Sequence, residues 1–159
     1  MFDWDAFVLR LKKYPPHYHQ LLPPCPPDRI EAVERELGQL PVALRDMVSH
    51  FNGGELFLSA GPTFSLFRIS TFPPLPPFEW APEWCIDVLT PRWRTAGINR
   101  SYDWAMGITN YGGLILLDDK ENVKEWDTSQ GSWLVKNLPL GDWIEKIISE
   151  GETVMAETS

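Results

Sequence analysis

Hydrophobic residues recur along this chain with two periods, and the switch between them locates the elements. Trp4, Phe7, Val8 and Leu11 fall at i, i+3, i+4 and i+7, one face of a helix, so residues 3–13 predict an amphipathic helix. Lys12 and Lys13 lie in its last turn, where positive charge suits the helix dipole, and Pro15 ends it. A proline-rich connector follows from Tyr14 to Pro27. Asp28, with Glu31 three residues on, has the pattern of a capping box; Ile30, Val33 and Leu37 share a face, and Gly38 closes this second helix. Pro41 suits the first turn of a third, in which Leu44, Met47, Val48 and Phe51 repeat the helical spacing. Asn52-Gly53-Gly54 ends it with residues that accept positive φ.

Beyond residue 54 the period drops to two. Strands are predicted over Glu55–Ser59, Phe64–Ile69, Trp104–Thr109, Leu114–Leu117, Val123–Asp127 and Ser132–Val135, with turns short enough for an antiparallel meander. Leu140, Trp143, Ile144, Ile147 and Ile148 make the apolar stripe of a closing helix, which Gly151 stops, leaving 152–159 as a tail. Between the two blocks, Thr90-Pro91 caps a short helix over Arg92–Ala96, and Pro73–Pro77 runs extended. The expected fold is α+β: N-terminal helices, a roughly six-stranded, mainly antiparallel sheet and a C-terminal helix packed on it. Residues 1–159 form one domain, with 70–103 as a proline- and tryptophan-rich insertion.

Charge narrows the partners. Against 14 Lys+Arg stand 22 Asp+Glu, a net of −8. That disfavours nucleic acid and anionic lipid, both of which need a basic face, and favours a basic partner or plain solubility. The start Met1-Phe2-Asp3-Trp4-Asp5 is acidic where a secretory signal is basic, and no apolar run approaches the ~18 residues of a membrane helix. Cys25 and Cys85 form no motif, so the expected setting is a reducing cytoplasm with free thiols.

Candidate chemistry is sparse. The histidines are His17, His19 and His50, none paired by spacing with a nucleophile, and Cys85 follows Trp84 with no base in register. His17, His19 and Cys25 offer three metal ligands in one loop without a second group to complete a zinc site. Asp118 and Asp119 read first as turn formers and second as a solvent-facing interaction edge. The glycine pairs do not stand between a strand and a helix as a phosphate loop requires. Arg92, Arg94 and Arg100, with Trp93 and Tyr102, offer a minor alternative, stacking on single-stranded nucleic acid. Trp4, Trp104 and Trp143 lie on apolar stripes and belong to the core; Trp80 and Trp84 lie outside any periodic element, as interface anchors or as pins for a long loop. No catalytic, metal or cofactor-binding residue is assigned.

The order of segments resembles the SUKH superfamily. The resemblance rests on Ile30 to Gly38, then Leu40-Pro41, Leu44-Arg45 and Asn52-Gly53-Gly54. It continues in Met106 to Asn110, Gly112-Gly113, Leu116 to Asp118, Val123 to Asp127 and the helix around Trp143–Ile148. It covers about 28–69 and 104–150; the front helix and 70–103 depart from it. The resemblance implies an α+β domain without an enzymatic core, similar to bacterial immunity proteins that bind and block a toxin, possibly a nuclease. Fungal members, similar to cell-wall regulators that act through protein partners, set the alternative, and a small hydrolase is the third. The expected partner is thus a toxin domain with a basic surface. Candidate contact residues are Glu55, Trp80, Trp84, Asp118, Asp119, Glu121 and Asp127.

Overall fold

A computed structural model of the chain describes residues 2–58, 64–70, 84–96 and 103–158. Helix α1 (Trp4–Leu11) starts where the Asp3 carboxylate accepts from the Ala6 N–H at 3.0 Å, and it buries Trp4, Phe7 and Leu11. The Trp4 indole N–H donates to the Ala43 carbonyl at 2.7 Å. Its ring meets Phe7 at 5.3 Å and Phe51 at 5.6 Å, which fixes α1 against α3 (Val42–His50). Helix α2 (Pro27–Leu37) begins on a proline, whose fixed φ suits a first helical position, so Asp28 sits inside the first turn and is not the cap.

Strands β1 (His19–Leu21), β2 (Gly54–Leu56), β3 (Phe64–Leu66), β4 (Trp104–Thr109), β5 (Gly113–Leu117), β6 (Asn122–Asp127) and β7 (Ser132–Pro139) lie side by side in chain order. Every neighbouring pair is antiparallel. The α+β class and the antiparallel meander are as expected, with seven strands where about six were expected. The extra strand, β1, lies in the proline-rich connector. Three residues cannot display a period of two, and only the pairing of His19 with Leu56 and Leu21 with Gly54 makes them a strand.

The Asn52 motif works as a tie. The Asn52 side chain is buried; it donates to the Ile69 carbonyl at 2.9 Å and accepts from the Ile69 N–H at 2.8 Å. Gly53 takes the positive φ, +74°, that turns the chain from α3 into β2.

Two helices differ from expectation. Helix α4 (Ile86–Arg94) starts four residues before Thr90, which is buried with its hydroxyl accepting from the Ala105 N–H at 3.0 Å. Pro91 lies inside the helix, whose true signal is the buried stripe Ile86, Thr90 and Trp93. Helix α5 (Leu140–Thr158) runs straight through Gly151, so the expected tail from 152 is helix. Gly151 is there for close approach. A Cβ on it would sit 2.5 Å from ring atoms of Phe57, a fully buried residue held at φ +58°. Arg10 of α1 clamps both halves of α5, donating to Glu145 at 2.7 Å and 2.8 Å and to Glu152 at 3.1 Å.

Helices cover both faces of the sheet. Neighbours on a strand point to opposite faces: Trp126 of β6 packs against Trp93 of α4, whereas Glu125 faces Lys146 of α5. Among the described residues no helix is long and apolar enough to cross a membrane.

The two α5 glycines predict opposite effects. Gly151→Ala forces a methyl group into the Phe57 ring and should destabilise the domain by about 1–3 kcal/mol. Gly141→Ala meets nothing closer than Phe2 at 3.9 Å and should stabilise by up to about 1 kcal/mol through helix propensity. Urea unfolding of both variants checks the signs.

Candidate functional site

One cross-strand row runs through the whole sheet. Gln20, Glu55, Ser65, Ile108, Leu114, Trp126 and Trp133 are successive register partners from β1 to β7. At ordinary strand spacing the row is about 29 Å long. It changes character on the way: polar over β1–β3, apolar over β4–β7. Ile108, Leu114, Trp126 and Trp133 are half-buried, while the next register positions, Leu56, Phe64 and Thr109, are buried. The Trp126 and Trp133 rings meet edge-on at 4.8 Å, and Trp93 meets each at 6.0 Å. Trp93 is anchored by its indole N–H, which donates to buried Asp103 at 3.4 Å; Lys124 donates to the same carboxylate at 3.2 Å. The outcome is an aromatic shelf at the β7 edge; Leu134, next to Trp133 on the strand, is 47% exposed on the opposite face. Aromatic groups held this way, partly wet and without rotamer freedom to lose, make effective protein contacts.

Of the expected contact residues, Glu55 falls in this row, between Gln20 and Ser65; burial holds its carboxyl above the usual range. Trp84 is half-buried and packs against the core, and Trp80 lies outside the described residues. Trp126 and Trp133 were not among the expected contact residues. Their alternation with Glu125 and Leu134 was visible in the sequence, but which face stays open was not.

The turn acids do not converge with this row. Asp118 accepts from the N–H groups of Lys120 and Asn122, both at 2.9 Å, and so shapes the β5–β6 turn. Glu121, at φ +63°, accepts from the Ala43 N–H at 3.0 Å and thereby satisfies a first-turn donor of α3. Asp127 shapes the β6–β7 turn, and its carboxyl is held below the usual range by the Ser129 hydroxyl and the Gln130 and Ser129 amides. It lies at the far end of β6, about 17 Å from the Asp118 turn. Asp119 alone is exposed and uncommitted among the described contacts. It lines a cleft of about 610 Å³ with Glu121, Val42, Arg94 and Trp104. Arg94 sits 4.6 Å over the Trp104 ring and donates to the Leu37 carbonyl at 2.7 Å.

Of the residues of the nucleic-acid alternative, Trp93 is buried, Arg94 is turned inward and Arg92 is exposed, while Arg100 and Tyr102 lie outside the described residues. Among the described residues no group of three or more His, Cys, Asp or Glu side chains converges on a metal position. Cys85 is fully buried at the start of α4, and burial pushes the Cys25 thiol up to about 11. His50 is exposed, with Nδ1 2.8 Å from the Asp46 carbonyl. His19 instead serves the fold: its Nδ1 accepts from the Phe57 N–H at 3.1 Å, and burial brings its pKa down to about 4. No protein-family model matches the chain, and no curated protein matches it either.

Two tests follow from these placements. Glu121→Ala should cost about 1 kcal/mol, the usual worth of a helix-start acceptor. Asp119→Ala should stay within about 0.5 kcal/mol, as for a surface site. Denaturant midpoints separate the two. For His19 the native pKa lies below the unfolded value, so its contribution is fully present above about pH 6.5 and is lost as pH falls toward 4. His19→Asn keeps an acceptor at the Nδ1 position without a titrating ring, and should flatten that slope in unfolding measured from pH 4 to 7.

Proposed function

We propose that this chain is a non-catalytic protein-binding domain of the immunity type, which holds and blocks a toxin domain that presents a basic surface. The observation that carries the reading is the partly buried apolar row Ile108, Leu114, Trp126 and Trp133 on the α4 face of the sheet. Partly exposed tryptophans packed against one another are side chains that interfaces use as anchors. The net charge of −8 supports the same reading. Opposite charge steers encounter with a basic partner and raises the association rate. The resemblance of the helix pair and the glycine-containing strands to the SUKH superfamily supplies the immunity class, and a cytoplasmic setting goes with it.

Affinity capture with the full chain from its source cells, followed by identification of the bound protein, should return a domain with a basic face. Trp126→Ala and Trp133→Ala should each weaken that complex by at least about 2 kcal/mol, or roughly 30-fold. Association should slow markedly as salt rises from about 50 to 200 mM. A complex indifferent to both tryptophans moves the interface to another face; an acidic partner with a salt-independent rate sinks the electrostatic part.

A further inference from the structure

The sheet has two outer edges, and they are built differently. β7 is the longer, but its register with β6 shifts twice, and irregularities of that kind turn an edge away from pairing. β1 is three residues long and keeps an unbroken register with β2. The Leu22 N–H donates to the Gly53 carbonyl at 3.0 Å, and the Leu58 N–H donates to the Tyr18 carbonyl at 2.9 Å. Antiparallel bonding alternates along a strand, so Gln20, midway between them, also turns its backbone to β2. The N–H and C=O groups of His19 and Leu21 then point outward. β1 is first in the strand order, and these four groups have no partner among the described residues.

A cleft of about 380 Å³ lies beside that edge, with Val8, Leu11 and Lys12 of α1 on one wall and Pro16, His19 and Leu21 on the other. His19 and Leu21 share one strand face, so the cleft is on the side away from Gln20 and the tryptophan row. Its walls are mostly apolar, and Lys12 is the only Lys, Arg, Asp or Glu that lines it. Lys12 and its neighbour Lys13 are exposed and form no ion pair among the described residues. Glu152, which bonds the Tyr14 phenol of the cleft, is already matched by Arg10 at 3.1 Å. The rim is therefore basic in a chain whose net charge is −8.

We propose that the β1 edge and this cleft are a docking site for an extended acidic segment of a protein partner, which joins the sheet as a further strand. The segment bonds the outward groups of His19 and Leu21, seats one apolar side chain against Val8, Leu11 and Leu21, and sets a carboxylate at Lys12. The unpaired main chain selects an extended backbone, because a strand presents N–H and C=O groups in the matching alternation. The basic rim selects the sign of the charge. Prolines limit the length: Pro15 and Pro16 before β1 and Pro23 and Pro24 after it have no N–H to offer a ladder. The edge thus takes a short segment and does not invite open-ended sheet growth. This contact differs in place and in charge from the one proposed above, and it does not rest on that reading.

The test uses the full chain and a capped five-residue peptide, two glutamates flanking valine, leucine and valine. Bound peptide should slow amide hydrogen exchange of His19 and Leu21 by at least about 5-fold and leave Gln20, already bonded to β2, unchanged. Two N-methylated peptides, one modified at the leucine and one at both valines, should differ: the pattern facing β1 abolishes binding and the other keeps it within about 2-fold. Lys12→Glu should weaken binding about 5-fold. Lys136→Glu on β7, an exposed position with the same change in net charge, should leave it unchanged. A peptide with lysines in place of the glutamates should bind at least about 5-fold more weakly. No binding at about 1 mM peptide, binding without protection of His19 and Leu21, equal effects of the two methylation patterns, or equal loss from the two lysine variants would overturn the site. Protection of the same amides by raising the protein concentration alone would assign the edge to a second copy of this chain and also overturn it. A basic partner captured by a chain whose β1 edge ignores the peptide sinks this site and leaves the binding function standing; a protected edge in a chain that captures nothing does the reverse.

Discussion

The alternation of side chains along β6 is the constraint from which the rest of the molecule follows. Placing Trp126 on the α4 face of the sheet, against Trp93 and Trp133, forces its neighbour Glu125 to the face under α5. The aromatic shelf and the buried carboxylate are thus two sides of one register. A slip by one residue would bury Trp126 under α5 and expose Glu125, and every strand paired with β6 would have to slip with it. Leu114 and Ile115 of β5 pair with Trp126 and Glu125 respectively, so the choice passes across the sheet.

The charged groups show how an acidic chain keeps its fold together. Many of its cations are spent internally. Arg10 clamps α1 to α5, and Arg45 pairs with Glu34 between α3 and α2. Arg29 donates to the Ser70 carbonyl at 2.9 Å and reaches Asp87 at 3.4 Å, while Ser70 in turn bonds Asp87, so α2 and α4 are held through one short segment. Arg94 and Lys124 converge on Asp103. Individually such contacts are weak where they are wet.

The helices were legible because each has a stripe long enough to repeat. Trp4, Phe7 and Leu11 are buried as their spacing requires, and so are Leu44, Met47 and Val48. The strands from β4 on were legible for the same reason. Some inferences that took a single residue as punctuation failed, although Gly38 does close α2 and Gly53 does take the positive φ after α3. Pro91 was read as a start although the stripe through Ile86, Thr90 and Trp93 began earlier. Gly151 was read as a stop, yet its missing side chain serves Phe57, nearly a hundred residues away in the chain. Asp118 was read first as a turn former and is one, whereas Glu121, named only as a candidate contact, bonds the Ala43 amide of α3. Backbone demands of that kind depend on neighbours that no local window contains.

By itself the sequence determined the class of the fold, the antiparallel order of its strands, the apolar faces of its helices and the sign of its surface. Those properties follow from periodicity and composition, which are local and additive. Tertiary structure alone decided that three residues of a proline-rich connector become an edge strand, and that the row from Gln20 to Trp133 lies in one line. It also decided that Glu125 is buried beside Tyr111 and Lys146. Register and close approach are relations between distant segments, set by the whole sheet at once, and a strand's own residues specify alternation but not which face the rest of the chain will cover.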